Sequence, residues 1–245
     1  MTDARPFHFK HFSLYHHRST MKVGTDAILL GRWVEVKPTD VALDIGTGCG
    51  LLPLMLAQKG IGQVDAVDID AVSIEEATIN FEASQWRDQL HAYCTDIVDF
   101  RTEKKYDLVV SNPPFFNRFS KCDSERKSRA RHNDAGLSYA TICREVCRLM
   151  KPEGRLSVVL PFDVSSDFLK TAEPLSLYLH KRMTIIPIAG KDPNRVNLEL
   201  GFEKYDQVCE ETFVIRDAEN RFTAQYNAFL KDYYLGKEAE NQTAT

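Results

Sequence analysis

Cysteine, glycine and proline are all sparse in this 245-residue chain, at six, 12 and 10 residues. So few glycines and prolines, with no period to them, exclude a collagen-like or low-complexity chain. The cysteines (Cys49, Cys94, Cys122, Cys143, Cys147, Cys209) are scattered, and no pair has the CxxC spacing of most zinc sites. Cys143 and Cys147 share one face of an expected helix, where packing is the ordinary reading. No metal is therefore expected. No apolar run approaches the ~18 residues of a membrane span, and the opening MTDARPFHFK lacks the apolar segment of a secretory signal. The expectation is a cytoplasmic protein with reduced thiols and no membrane partner. Positive charge is not in excess either: 31 Lys and Arg face 35 Asp and Glu, a net charge of -4, which argues against a chain coated evenly for polyanion binding.

What the chain does have is a rhythm. Val41-Ala42-Leu43-Asp44-Ile45, Val64 to Asp68, His91 to Cys94, Leu108 to Val110 and Leu156 to Leu160 are short apolar or β-branched runs, each ending in polar or turn residues. Between them lie helical patterns at Leu51 to Lys59, Ala71 to Ser84 and Tyr139 to Met150. This alternation predicts an α/β fold: a doubly wound, mostly parallel sheet with an N-terminal extension. A helix from about Ala27 to Val36, capped by Thr25 or Asp26, precedes the sheet. A helix at Val164 to Ala172, three strand runs (Met183 to Ile188, Val196 to Phe202, Thr212 to Arg216) and a helix from Ala224 to Leu235 follow. With no repeat and no linker, 1–245 reads as a single domain: extension and helix at 1–36, sheet core at 37–216, C-terminal helix and tail at 217–245. A monomer is expected.

In such a sheet the ligand sits at the carboxyl ends of the strands, beside the point where strand order reverses. The first strand ends in Asp44-Ile45-Gly46-Thr47-Gly48-Cys49-Gly50, the second in Asp68, the third in Asp96 and the fourth in Ser111-Asn112-Pro113-Pro114-Phe115. The glycines let backbone approach a bound molecule, and an acid about 20 residues on is placed for ribose hydroxyls. Nicotinamide and S-adenosylmethionine proteins share this much. Here the glycines read GxGxG, and Asp44 stands two residues before the first of them. A carboxylate there would repel a pyrophosphate but suits a sulfonium and an ammonium. Asp96 can accept from an adenine amine. The cofactor expected is S-adenosylmethionine.

Asn112-Pro113-Pro114-Phe115 points to the reaction. An exocyclic or amide nitrogen is a weak nucleophile because its lone pair is delocalised. If the Asn112 side-chain carbonyl and the Pro113 main-chain carbonyl each accept one N–H, the lone pair is turned toward the methyl group and the developing charge is stabilised. The paired prolines hold those carbonyls in place, and Phe115 offers a face for a planar base. Methylation makes a cationic amine acidic enough to lose its proton to water, so no general base is required.

The motifs DIGTGCG, AVDID, CTD and SNPPFF resemble those of the S-adenosylmethionine-dependent methyltransferases that act on amino groups. The opening FHFKHFSLYHH…MKVGTDAILLGRW, the ARH at 130–132 and the ending VIRDAENRFTAQYNAFLKDYYL resemble more narrowly the bacterial tRNA adenine-N6 methyltransferases that modify the adenine following the anticodon of a valine tRNA. The resemblance covers about Phe7 to Leu235, with departures at His11, at His17 to Thr20 and at Arg32. It implies a sheet of the seven-stranded, Rossmann-like type, that Lys22, Gly24 and Thr25 border the cofactor, and that Asp44, Gly46, Gly48 and Gly50 surround its methionine end. It further implies that Asp68 and Ile69 hold its ribose, that Asp96 and Ile97 hold its adenine, and that Asn112 to Phe115 meet both cofactor and target base.

Two segments carry local positive charge suited to RNA. Arg118, Lys121, Arg126, Lys127, Arg129 and Arg131 oppose only Asp123 and Glu125, directly after the NPPF motif and ending at His132, where phosphates flanking an extruded base would lie. Arg5 to Lys22 has no acid and includes Lys10 and His11, with Phe7, Phe9, Phe12 and Tyr15 interleaved as stacking candidates. The partner expected is tRNA. Three other readings compete: a protein glutamine-N5 methyltransferase using the same amide-activating loop, a non-catalytic RNA-binding module of this fold, and, more remotely, a nicotinamide oxidoreductase.

Overall fold

The computed structural model describes residues 5–19, 22–113 and 137–235. A two-stranded hairpin opens the chain, β1 (Phe7–His8) and β2 (Ser13–Leu14), followed by α1 (Thr25–Trp33), β3 (Val41–Ile45), α2 (Leu51–Gln58), β4 (Gln63–Asp68), α3 (Ala71–Glu82), β5 (Leu90–Cys94) and β6 (Tyr106–Ser111). After 137 come α4 (Tyr139–Leu149), β7 (Met150–Pro161), α5 (Ser165–Ala172), β8 (Tyr178–Ile188), β9 (Arg195–Gly201), β10 (Cys209–Arg216) and α6 (Ala224–Leu230). No helix among the described residues is long and apolar enough to cross a membrane.

The main sheet has eight strands in the order β10-β8-β9-β7-β6-β3-β4-β5. Every pairing is parallel except those of β9, which runs against both β7 and β8. All eight strand runs read from the sequence form, so the expected seven-stranded sheet carries β10 as an added edge strand on β8. Order reverses between β3 and β6: β4 and β5 build outward on one side, β7 on the other. That reversal opens a crevice beyond the carboxyl ends of β3 and β6.

Both faces of the sheet are covered, which is why β3 reads as a nearly continuous apolar run. One core lies under α1, α2 and α3, with Ala42, Val64, Leu108, Val110 and Val159 facing it; the other lies under α4 and α5, with Leu43, Ile45, Val109, Val158 and Leu198. Helix α2 is buried from Leu51 through Ala57 and is accordingly apolar on all sides. Cys143 is fully buried in the second core, consistent with packing.

Three sequence expectations are corrected. Helix α1 begins at Thr25 and ends at Trp33, and neither Thr25 nor Asp26 caps it: the cap position is Gly24, with no side-chain cap hydrogen bond. Asp26 is drawn away by Arg195 at the start of β9 (Oδ2 to Nε 2.7 Å). At the other end Lys59 Nζ donates to the carbonyls of Gly31, Arg32 and Val34, which closes the helix early. Helix α6 stops at Leu230 rather than Leu235, because the chain turns to bury Tyr233, whose hydroxyl donates to the Met55 carbonyl (3.4 Å). Finally, Phe9 and Phe12 are not stacking platforms for RNA. They are buried in the first core with ring centroids 4.6 Å apart, while Tyr15 is exposed.

Candidate functional site

The glycine loop after β3 is shaped by backbone that only glycine adopts easily. Gly46, Gly48 and Gly50 have φ of 76°, 55° and 85°. Gly46 and Thr47 donate to the Val67 carbonyl (2.8 and 3.1 Å), and Gly48 donates to Asp68 Oδ2 (2.8 Å), so the loop is tied to the end of β4. A Cβ on Gly46 would meet nothing within 4 Å, so this loop leaves room for a molecule against its backbone. At Gly50 the reverse holds. A Cβ would stand 2.5 Å from Phe81 Cε1 and 3.3 Å from Ala77 Cβ, so the loop packs directly on α3. Gly50→Ala is expected to cost about 1–3 kcal/mol through overpacking, on top of its positive φ, read as a fall in urea midpoint at unchanged m-value.

The carboxyl ends of β3 and β6 hold two buried oxygen-bearing side chains with no hydrogen-bond partner among the described residues. Asp44 is 0% exposed and neither carboxylate oxygen has a hydrogen-bond partner; Asn112 is 9% exposed and its Oδ1 is equally unpartnered. Register places Asp44 beside Val110, two residues before Asn112. Unsatisfied buried acceptors cost free energy, and two of them at one crevice suit a ligand that brings donors or positive charge. Burial raises the Asp44 carboxyl to about 7, and the negative Asp68 pushes it the same way. The Thr47 hydroxyl tempers the rise without forming a well-aligned hydrogen bond. A cationic ligand would reverse this balance. Ser111, named in the fourth strand end but given no role from sequence, pins the crevice: its buried hydroxyl donates to the Ile45 carbonyl (2.7 Å), fixing the end of β6 against the start of the glycine loop.

Asp68 and Asp70 divide their work. Asp70 caps α3, accepting from the Val72 and Ser73 amides (3.4 and 3.1 Å) and the Ser73 hydroxyl (2.6 Å), and the Ser73 hydroxyl leads the causes holding its carboxyl below the usual range. Asp68 accepts one N–H on each oxygen, from Gly48 and Asp70 (2.9 Å), and keeps a lone pair on each. Beside it Ile69 is 60% exposed, a large apolar side chain at the mouth of the crevice. Asp96 Oδ1 accepts the Val98 amide (3.0 Å), which leaves its second oxygen to a ligand. Ile97 is buried in the second core, so it offers backbone rather than side chain. Lys22 is exposed, and Gly24 and Thr25 start α1 with its first amides free of a side-chain cap.

The described residues thus bring Asp44, Gly46, Gly48, Asp68, Asp96, Asn112 and Pro113 to the ends of adjacent strands. Pro114, Phe115, Arg118, Lys121, Arg126, Lys127, Arg129, Arg131 and His132 lie outside the described residues. Lys10 and His11 are placed elsewhere. The Lys10 amide donates to the Tyr233 carbonyl (2.8 Å) and its Nζ to the Lys231 carbonyl, while His11 lines a cavity of about 550 Å³ with Arg32, Gln58, Lys59, Trp86 and Asp232. Gln58 and Trp86 close or follow the C-terminal ends of α2 and α3, whose N-terminal ends face the crevice. Lys10 and His11 therefore sit at the opposite end of these helices from Asn112. Phe162 was not anticipated. It is 39% exposed at the carboxyl end of β7, the strand next to β6, and the only sequence signal was an aromatic directly after a strand-ending proline.

Comparison with known proteins agrees with this geometry. The family described as "Methyltransferase small domain" matches residues 17–161. A tRNA1(Val) (adenine(37)-N6)-methyltransferase of Phocaeicola vulgatus is 39% identical over 229 residues, 94% of this chain and 97% of that protein. The protein of the same name from Musicola paradisiaca is 39% identical over 236 residues, 95% of each. Among solved structures, a predicted O-methyltransferase from Agrobacterium tumefaciens superposes with a TM-score of 0.64 at 15% identity, covering 85% of this chain and 96% of that one. A methyltransferase from Pyrococcus furiosus gives 0.55 at 18% identity, over 78% and 89%. At such identities these structures establish the shared fold. With the glycine loop, the acids at three strand ends and Asn112 in register beside them, the chain belongs to the methyltransferase small domain family and, within it, to the tRNA1(Val) (adenine(37)-N6)-methyltransferases.

Proposed function

We propose that this protein transfers a methyl group from S-adenosylmethionine to the exocyclic N6 of an adenine in tRNA, adenine 37 of tRNA1(Val). The observation that carries the reading is the pair of unpartnered buried acceptors, Asp44 and Asn112 Oδ1, on the adjacent strands β3 and β6. A bound S-adenosylmethionine supplies an electrophilic methyl on a sulfonium, with an ammonium nearby, and Asp44 is the carboxylate that meets this positive charge. Gly46 gives it backbone clearance, Asp68 accepts from the ribose hydroxyls, and Asp96 with the Ile97 backbone reads the adenine. The uncapped first turn of α1 suits the ligand's carboxylate.

Asn112 Oδ1 and the Pro113 carbonyl take the two N6 protons, which directs the nitrogen lone pair at the methyl and stabilises the cation that forms. Phe115 stacks on the extruded base, and the basic run from Arg118 to His132 holds the flanking phosphates. Lys10 and His11, at the far end of α2 and α3, fit contacts to a more distant part of the tRNA. A tRNA substrate fits action in the cytoplasm, and a monomer is the expected state of the enzyme.

The test is incubation with labelled S-adenosylmethionine and one of three acceptors: tRNA1(Val), the same transcript with guanine at position 37, or a glutamine-bearing protein. Label is expected in the first alone. Label in the protein acceptor alone would establish the glutamine-N5 reading instead. Phe162 offers a second aromatic face at the carboxyl end of β7, the strand next to that of Asn112, and Phe162→Ala is expected to raise KM for tRNA by about 5- to 100-fold, the worth of one base–aromatic stack. The change in kcat should be smaller; an unchanged KM removes Phe162 from the base site.

A further inference from the structure

Two of the buried polar side chains on helix α3, Glu76 and Asn80, lie one turn apart and are spent on the N-terminal segment that leads into Lys22 to Thr25 and, for Asn80, on the glycine loop as well. The backbone amides of His17 and Arg18 donate to Glu76 Oε1 (2.9 and 3.0 Å), and that of Ser19 donates to Oε2 (2.9 Å). Asn80 Oδ1 accepts the Tyr15 amide, and its Nδ2 donates to the carbonyls of Tyr15 and of Cys49, each at 2.8 Å. One side chain therefore joins the N-terminal segment to the glycine loop. Phe81 and Ala77, on the same helix, fill the space beside Gly50. From Ser19 the chain reaches Val23 within four residues, and the Val23 amide donates back to His16 Nδ1 (3.4 Å).

We infer that Glu76 and Asn80 are positioning residues for cofactor binding: together they strap Tyr15 to Ser19 onto α3 and so hold Lys22 to Thr25 against the glycine loop. A buried carboxylate taking three amides is held by charge-assisted bonds, and Asn80 matches both donors and acceptors of two separate loops. The segment contributes no strand to the main sheet, so this strap joins the buried hairpin side chains in setting its position against Gly46 to Gly50. The inference rests on the reading that Lys22 to Thr25 border S-adenosylmethionine.

The test compares Glu76→Gln and Asn80→Asp with Glu75→Gln, which removes only an exposed pair with Arg18 (2.6 Å). Glutamine at 76 keeps one acceptor but turns an N–H toward Ser19; aspartate at 80 sets a carboxylate against two carbonyls. In the unliganded proteins, hydrogen exchange at residues 15–19 and 22–25 is expected to accelerate about tenfold or more. S-adenosylhomocysteine should bind about tenfold more weakly, with kcat at saturating cofactor within about threefold, and Glu75→Gln should match wild type throughout. Variants that melt earlier but exchange and bind like wild type would reduce Glu76 and Asn80 to plain structural residues and overturn the inference. Wild-type protein supplies a readout that needs no variant to fold: S-adenosylhomocysteine should slow exchange at 22–25, and binding without that protection also overturns it. Wild type that fails to bind S-adenosylhomocysteine at all would instead take down the methyltransferase reading itself.

Discussion

Replacing Asn112 by alanine is expected to reduce methyl transfer about 10²- to 10³-fold or more, the cost of removing one preorganised group from a transition state, while tRNA affinity stays within a few-fold. The reason lies in where the Asn112 oxygen sits. It is buried, unpartnered, and fixed by a strand whose previous residue, Ser111, is bonded across to the Ile45 carbonyl. Such an acceptor needs no reorganisation when positive charge develops on the nitrogen, so its worth appears in the transition state rather than in substrate binding. The loss should therefore fall on kcat, with single-turnover transfer to tRNA1(Val) as the measurement and filter binding of the tRNA as the control. Transfer within tenfold of wild type would remove Asn112 from the chemistry. A parallel collapse of tRNA binding would make it a docking residue instead.

The same residue shows how far sequence could go. Strand ends were legible because buried parallel strands read as apolar runs and their polar punctuation is unmistakable: Asp44, Asp68, Asp96 and Asn112 all fall where the pattern placed them. The parallel part of the sheet followed from the alternation of strands and helices, and the three late strands were legible as strands, but the antiparallel place of β9 between β7 and β8 was not. What could not be read were relations across the chain. Asp26 looks like a helix cap from its neighbours, but its partner Arg195 is 169 residues away. Phe9 and Phe12 interleave with basic residues in a way that suits RNA, yet the hairpin turns them into the core. Glu76 looks like one more acid on a helix, and only the folded chain shows three amides of the N-terminal segment converging on it. Lys10 and His11 lie in a basic stretch by sequence, but tertiary placement sets them at the far end from the crevice.

Asp44 should couple cofactor binding to pH and set function against stability. Burial holds its carboxyl near 7 in the unliganded fold, well above the unfolded value near 4. Between those two values the folded state binds more protons than the unfolded one, so unliganded stability falls as pH rises from 4 to 7 and is level above. Three units correspond to about 4 kcal/mol. Asp44→Asn, which cannot ionise, should therefore be more stable than wild type at pH 8 by a few kcal/mol and nearly equal to it at pH 4, measured by urea denaturation without ligand. Cofactor binding should move the opposite way. The ionised carboxylate pairs with the ligand's positive charge, so wild-type Kd for S-adenosylmethionine tightens up to about tenfold per unit from pH 5.5 to 7 and then levels. Titration calorimetry near pH 6 in buffers of different ionisation heat should show close to one proton released. Asn at this position should bind more weakly, with no proton release and no pH dependence over that range. A variant that keeps wild-type affinity and proton release would show that the charge meeting the sulfonium and ammonium lies elsewhere, and a variant no more stable than wild type at pH 8 would show that Asp44 already has a partner without the ligand.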